Sequence, residues 1–341
     1  MNVCSKSPAS TKRRQSGAVL IMALMIVSVV AGLAIKFTGD YQLGMAKAES
    51  RWHGAQARSY LLGAENLATY LLEQDPDPAV DHLEEPWAQE APPFQIDGGW
   101  ILASVEDAQS RLNLNDLGGT LDPNKALTDP SRYTEMQRRF IRLLQTFTEQ
   151  DVPLNEDEAV VILEAIVDWM DPDNQPSGFG GAEADYYQGL DPAYLPANSE
   201  FVSVEELRLV RHVGPELMEL LRPHLVVLPR GQSMNVNTLS MKLLRTINAS
   251  DRLQPLGPTE VELLRQDWPE EGYHVDVQSF LSTPAWQGIG GSPPDTSGLS
   301  VNSNFFLVST TVSLVDQRRS MRSLMMRASD EFEVVRRIDV Y

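Results

Sequence analysis

Apolar residues follow three patterns along the chain. Across 18–35 they are unbroken, with no charge until Lys36, close to the ~20 residues a bilayer core requires. Beyond Leu43 they recur at steps of three and four, through Ala46, Tyr60, Ala64, Leu67, Leu71 and Leu72, the period of an amphipathic helix. The two stretches read as one helix from Ala18 to about Gln74, a rod of roughly 85 Å at 1.5 Å per residue. Asp75-Pro76-Asp77-Pro78 ends it, since proline cannot donate to a helical ladder. A third pattern, rich in β-branched and aromatic residues, marks strands at 94–96 and 100–105 around the turn Asp97-Gly98-Gly99. It returns near the end at 305–314, 319–327 and 331–340, with Asp316-Gln317 as a turn.

Helical periodicity fills the interval, at 133–149, 156–169, 204–210, 215–221, 240–247 and 258–265. Asn155 with Glu158 three residues on forms a capping-box signature. The fold class predicted is α+β: a long N-terminal helix packed on a small antiparallel sheet, with a large, mostly helical insertion at 110–286. The divisions expected are a leader at 1–17, a membrane-spanning half-helix at 18–38, the rest of the helix and first strands at 39–109, the insertion, a linker at 287–303 and the last strands at 304–341. The linker is expected to be flexible because it holds four glycines and two prolines.

Charge orients this plan. Lys6, Lys12, Arg13 and Arg14 precede the apolar run and no acidic residue occurs before Asp40, so the positive-inside rule puts the first seventeen residues in the cytoplasm and the rest outside. The apolar run exceeds the ~7–15 residues of a secretory signal, and the small residue Gly17 lies before it, so cleavage there would keep the helix. Cys4 lies upstream of the apolar run, where it cannot serve for lipid attachment. A chain cut after Gly17 has no cysteine and no disulfide. The net charge of -19 opposes nucleic acid as a partner.

A short basic leader ending in glycine, an intact apolar helix and an exported α+β body resemble the type IV pilin and pseudopilin superfamily. Within it, the segments Gly17-Ala18-Val19-Leu20-Ile21, Val105-Glu106-Asp107, Arg111-Leu112-Asn113-Leu114-Asn115, Asp168-Trp169-Met170-Asp171-Pro172-Asp173, Ala182-Glu183-Ala184-Asp185-Tyr186-Tyr187 and Asn235-Val236-Asn237-Thr238 resemble the protein K family of type II secretion, the large minor pseudopilins. The resemblance implies a pilin-like fold and cleavage by a prepilin peptidase between Gly17 and Ala18, with N-methylation of Ala18. It also implies a single-pass protein of the bacterial inner membrane with a periplasmic body. Most pseudopilins carry glutamate at the fifth mature position, to offset a neighbour's N-terminal charge; here that position is Met22. A subunit with no neighbour above it needs no such pair, which fits the tip of the pseudopilus. The partners implied are other minor pseudopilins in a heterotrimeric tip complex, the major pseudopilin, the prepilin peptidase and secreted substrates.

From Asp151 to Glu206 there are fourteen acidic residues and no lysine or arginine, a bias that repulsion makes costly without a counter-ion. Asp168, Asp171, Asp173, Asn174, Glu183 and Asp185 place hard oxygen donors on a glycine-rich loop, and calcium takes about six to eight such ligands. The spacing is not that of an EF-hand; the alternative is a solvated acidic loop turning at Asp171-Pro172. The family resemblance favours one or two calcium ions.

Other constellations carry less. Residues 201–226 and 234–247 look like helix-hairpin-helix units, with Val213-Gly214 and Asn235-Val236-Asn237-Thr238 at the turns. Such hairpins grip phosphates elsewhere, but acidic surroundings and export argue here for scaffold or partner surface. There is no nucleophile elbow, P-loop or dinucleotide glycine pattern, and the five histidines are scattered, so no catalytic residue is assigned. Trp87, Trp100, Trp169, Trp268 and Trp286 read as core, and Trp52 as a contact with neighbouring subunits.

Overall fold

The computed structural model describes residues 16–150, 152, 154–289, 292–328 and 331–340. The leader residues Lys6, Lys12, Arg13 and Arg14 and Cys4 lie outside these. Helix α1 (Ser16–Glu73) is continuous. Residues 18 to 52 are exposed throughout, whereas Ala57, Leu61, Ala64, Ala68 and Leu72 are buried. Those steps of three and four mark one stripe down the second half of the helix.

The stripe lies on a five-stranded antiparallel sheet of strands β1 (Phe94–Ile96), β2 (Gly99–Asp107), β7 (Phe305–Leu314), β8 (Gln317–Ala328) and β9 (Glu331–Val340), in that order. Alternate residues of a strand face opposite ways. Phe306, Val308, Val312 and Leu314 accordingly pack with Met321, Met325 and the α1 stripe, while Phe305 and Leu307 meet Ala108, Val226 and Leu228 on the other face. Leu314 pairs with Gln317, so the β7–β8 turn is Val315-Asp316, one residue earlier than the sequence turn. Val315 takes a left-handed backbone (φ 52°) to close it.

Asp107 at the end of β2 pairs with Phe306 at the start of β7, so the intervening segment leaves and re-enters the sheet at one place. That segment holds the short strands β3 (Leu112–Asn113), β4 (Leu225–Val226), β5 (Met234–Asn235) and β6 (Leu299–Ser300). Its helices are α2 (Glu135–Gln145), α3 (Glu156–Met170), α4 (Ala184–Gln188), α5 (Pro215–Leu221), α6 (Met241–Leu244), α7 (Pro258–Gln266), α8 (Val277–Leu281) and α9 (Ala285–Ile289). One continuous apolar core joins them, running from Leu112 to Ala285.

Two expectations change. Residues 287–303 are not a plain linker: they contain the end of α9, and β6 pairs in parallel with β5. Arg139 donates to the carbonyls of Asp295 and Gly298, which fixes the return. The helix-hairpin-helix reading also fails in part. Residues 204–209 form a 3-10 helix before α5, and Asn235 belongs to β5, with its side chain buried in the junction with the sheet. Trp87 and Trp169 are buried, and Trp52 is 70% exposed.

A polar cluster occupies the junction. Asp107 Oδ2 accepts from Asn235 Nδ2 at 3.1 Å, Thr238 Oγ1 at 2.5 Å and Ser303 Oγ at 2.7 Å. Asn235 Nδ2 also donates to the Asp81 carbonyl at 3.0 Å. Arg327 Nη2 of β8 reaches Asp81 at 2.7 Å and Asp75 at 3.1 Å. These bonds hold the end of α1, the sheet and the inserted part together.

Candidate metal centre

Helix α3 starts at Asn155, whose side chain accepts from the Glu158 backbone while Glu158 returns the bond, closing the predicted capping box. Its buried face presents Glu164 and, one turn later, Asp168; Asp171 caps the C-terminal end. The chain then reverses. Gly178 has φ +72°, and a Cβ there would collide with the Glu164 carboxylate; one on Gly181 would collide with Asp168 Oδ2. Only glycine lets the loop return this close to two carboxylates.

The return is tied down by backbone donors. Ser177 N donates to both Asp168 oxygens at 3.0 and 3.1 Å, and Gly180 N to Glu164 Oε2 at 2.8 Å. The other Glu164 oxygen faces Arg132 at 3.1 Å. The loop ends at Glu183, which stands at the N-cap of α4 without making a cap hydrogen bond.

Carboxylate oxygens of Asp168, Asp171 and Glu183 lie within 4.8 Å of one another. Both Glu183 oxygens and Asp171 Oδ1 are buried with no hydrogen-bond partner among the described residues. Burial, and then repulsion from Asp168, Asp171 and Asp173, pushes the Glu183 carboxyl up to about 7. Burial, with Asp173 and Asp168 beside it, pushes Asp171 up to about 6. Burial also raises Asp168, against the bonds from Ser177. Buried oxygens without donors are costly, and a hard cation is the ligand that three convergent carboxylates fit.

Three of the six predicted donors therefore converge. Asp173 is exposed and its side chain accepts from Gln175 N at 2.7 Å. Asn174 and Asp185 are also exposed and outside the group; Glu183 and Asp185 are two residues apart at a helix start, a spacing that does not share a face. Sequence reasoning misses Glu164, although a carboxylate four residues before Asp168 in an apolar run was a readable signal. A second carboxylate group, Asp75, Asp81 and Glu85, is already served by Arg327, the His82 backbone and Trp87 Nε1.

At the other end of the molecule, Gly17, Ala18 and Met22 lie in the first turns of α1, and Met22 is 65% exposed.

Residues 110–230, which include the whole carboxylate loop, match the family described as Type II secretion system (T2SS), protein K. Type II secretion system protein K of Aeromonas hydrophila is 31% identical over 321 residues, covering 93% of this chain and 95% of that one. The chain belongs to the type II secretion system protein K family. Its Pseudomonas aeruginosa member is 32% identical, covering 94% of this chain and 91% of the relative. The fold is similar to a chain in the crystal structure of the GspK-GspI-GspJ complex from the enterotoxigenic Escherichia coli type 2 secretion system. That match has a TM-score of 0.70 and 25% identity, and covers 86% of this chain and 99% of that one.

Proposed function

We propose that this chain is a minor pseudopilin at the tip of the periplasmic pseudopilus, assembling with counterparts of GspI and GspJ to initiate or limit the filament that drives protein secretion. The observation that carries the reading is the match to nearly the whole of a chain solved in a GspK-GspI-GspJ complex. It is a structural role without turnover. The first half of α1, apolar and uncovered, anchors the protein in the inner membrane with its body in the periplasm. Cleavage between Gly17 and Ala18, with N-methylation of Ala18, would leave that helix attached. Met22 removes the carboxylate that would pair with a subunit above, consistent with a terminal position.

Asp168, Asp171 and Glu183 would hold calcium, with Asp173 close enough to add charge; Asn174 and Asp185 remain candidates only if the loop rearranges around the ion. The calcium supplies positive charge that lets buried carboxylates ionise. Its support is the set of buried oxygens without donors.

Co-expression of the full chain with its companion minor pseudopilins, followed by detergent purification, tests the assignment. A stable complex containing all three is expected, together with an N-methylated Ala18 in the mass spectrum. A chain that purifies alone, or that retains Met1, would overturn it.

A further inference from the structure

One side of α3 is left open. Leu154, Val161 and Ile162 line a cleft of about 310 Å³, with Asp157, Glu158 and His212 at its rim. The cleft shares no lining residue with Asp168, Asp171 and Glu183, and its nearest member, Ile162, stands roughly 9 Å from Asp168 along the helix at 1.5 Å per residue. Three features distinguish it from an ordinary surface dent. Three of its six lining residues are aliphatic, and all but His212 lie in the stretch 151–206, which has fourteen acidic residues and no lysine or arginine. Arg211, next to His212, is committed elsewhere: it donates to the Gly181 carbonyl at 3.0 Å and lies 4.6 Å over the Tyr186 ring. Finally, Gly180 packs against the Val161 backbone, and its neighbour Phe179 is 87% exposed. An apolar floor with an exposed aromatic nearby is the usual anatomy of a protein-docking surface.

The sign of the charge selects the occupant. A negative field concentrates cations and repels nucleic acid and anionic membranes. We propose that this cleft receives a peptide segment of another protein in which one bulky apolar side chain is flanked by lysine or arginine. The apolar side chain enters between Leu154 and Val161, and the flanking cations meet Asp157 and the acidic rim. The cleft belongs to the inserted part and does not require the tip assembly, so it can be tested apart from that assignment.

The test uses the full chain in nanodiscs of zwitterionic lipid. The probe is a short fluorescent peptide with a central leucine between lysine pairs, followed by anisotropy. Saturable binding is expected, weakened by salt and weakened at least ~10-fold when the peptide lysines are replaced by glutamate or its leucine by serine. Asp157→Lys and Val161→Gln should each weaken it by a similar factor with unchanged circular dichroism. Should Val161→Gln misfold, the His212 imidazole resonance of the unaltered chain must shift on peptide addition. Absence of saturation, equal binding of the glutamate peptide or an unmoved His212 resonance would overturn the proposal. So would loss of binding in Asp171→Asn with Val161→Gln unaffected, because the peptide would then sit at the carboxylate centre.

Discussion

At Glu183 two buried oxygens without donors among the described residues stand beside Asp168 and Asp171, and the direction of its pKa shift fixes the sign of this group's contribution to the pH dependence of stability. A carboxyl raised in the native state holds its proton more tightly there than in the unfolded chain. Stability is then greatest below the ordinary carboxylate range and falls as pH rises through the raised values, about 6 for Asp171 and about 7 for Glu183. Between pH 5 and pH 7.5 these two carboxyls should therefore destabilise metal-free protein, while His224 and His274, which burial lowers to about 4, act in the opposite sense. Calcium should reverse that slope and release protons on binding. Calorimetry in chelator and in calcium buffer checks both, and Glu183→Gln should flatten the metal-free slope while weakening calcium binding at least ~10-fold. The charge bias and the pair Asp168 and Asp171 were legible in the sequence. Which of the later donors would join them was not, because that depends on a reversal set by Gly178 and Gly181 packing over α3 carboxylates.

Helix α2 shows how a buried charge can organise chain that has little regular structure. Arg142 lies fully inside and donates to the carbonyls of Thr246, Ala249 and Arg252 at 2.8–3.2 Å, while Nη1 faces Glu135 at 2.8 Å. It thus adds donors to a turn whose own backbone serves the Ala249 carbonyl, from Arg252 N at 3.2 Å. Arg142→Ala should cost about 3–5 kcal/mol, because it takes the guanidinium donors from the buried Thr246 and Arg252 carbonyls and leaves Glu135 with one cation fewer. Urea unfolding should record a lower midpoint with an unchanged slope. At this scale the sequence was readable wherever period and length were strong. Phe94–Ile96, Phe305–Leu314, Glu331–Val340 and Pro215–Leu221 have the predicted bounds. The pairs β3–β4 and β5–β6 are two residues long and parallel, so they exist only through distant partners. The 3-10 segment at 204–209 likewise carries the same local pattern as an α-helix.

For the molecule as a whole, the decisive place is the point where the inserted part leaves β2 and rejoins β7. Asn235 donates there to both Asp107 and the Asp81 carbonyl and is completely buried. Asn235→Ala should destabilise the protein by about 2–4 kcal/mol, since Asp107 loses a donor in a low-dielectric setting. It should also separate the unfolding of sheet and insertion, seen as two calorimetric peaks in place of one. The division into sheet and insertion could be read from where β patterns stop and resume. The bonding that couples them could not, because Asp81, Asp107, Asn235, Ser303 and Arg327 come from five separate stretches of chain.

The uncovered first half of α1 also bears on the net charge of -19. From Ile35, where the apolar run ends, to Ser50, whose carbonyl and hydroxyl accept from Gln317 of β8, the helix rises roughly 22 Å at 1.5 Å per residue. Counter-ions screen charge over about 8 Å at physiological salt. That is nearly three screening lengths, so a charged surface at the apolar end of the helix would have lost most of its potential before the acidic body is reached. A body this acidic can stand over the bilayer without being pushed from it, and its field is left free to act on whatever approaches from the far side.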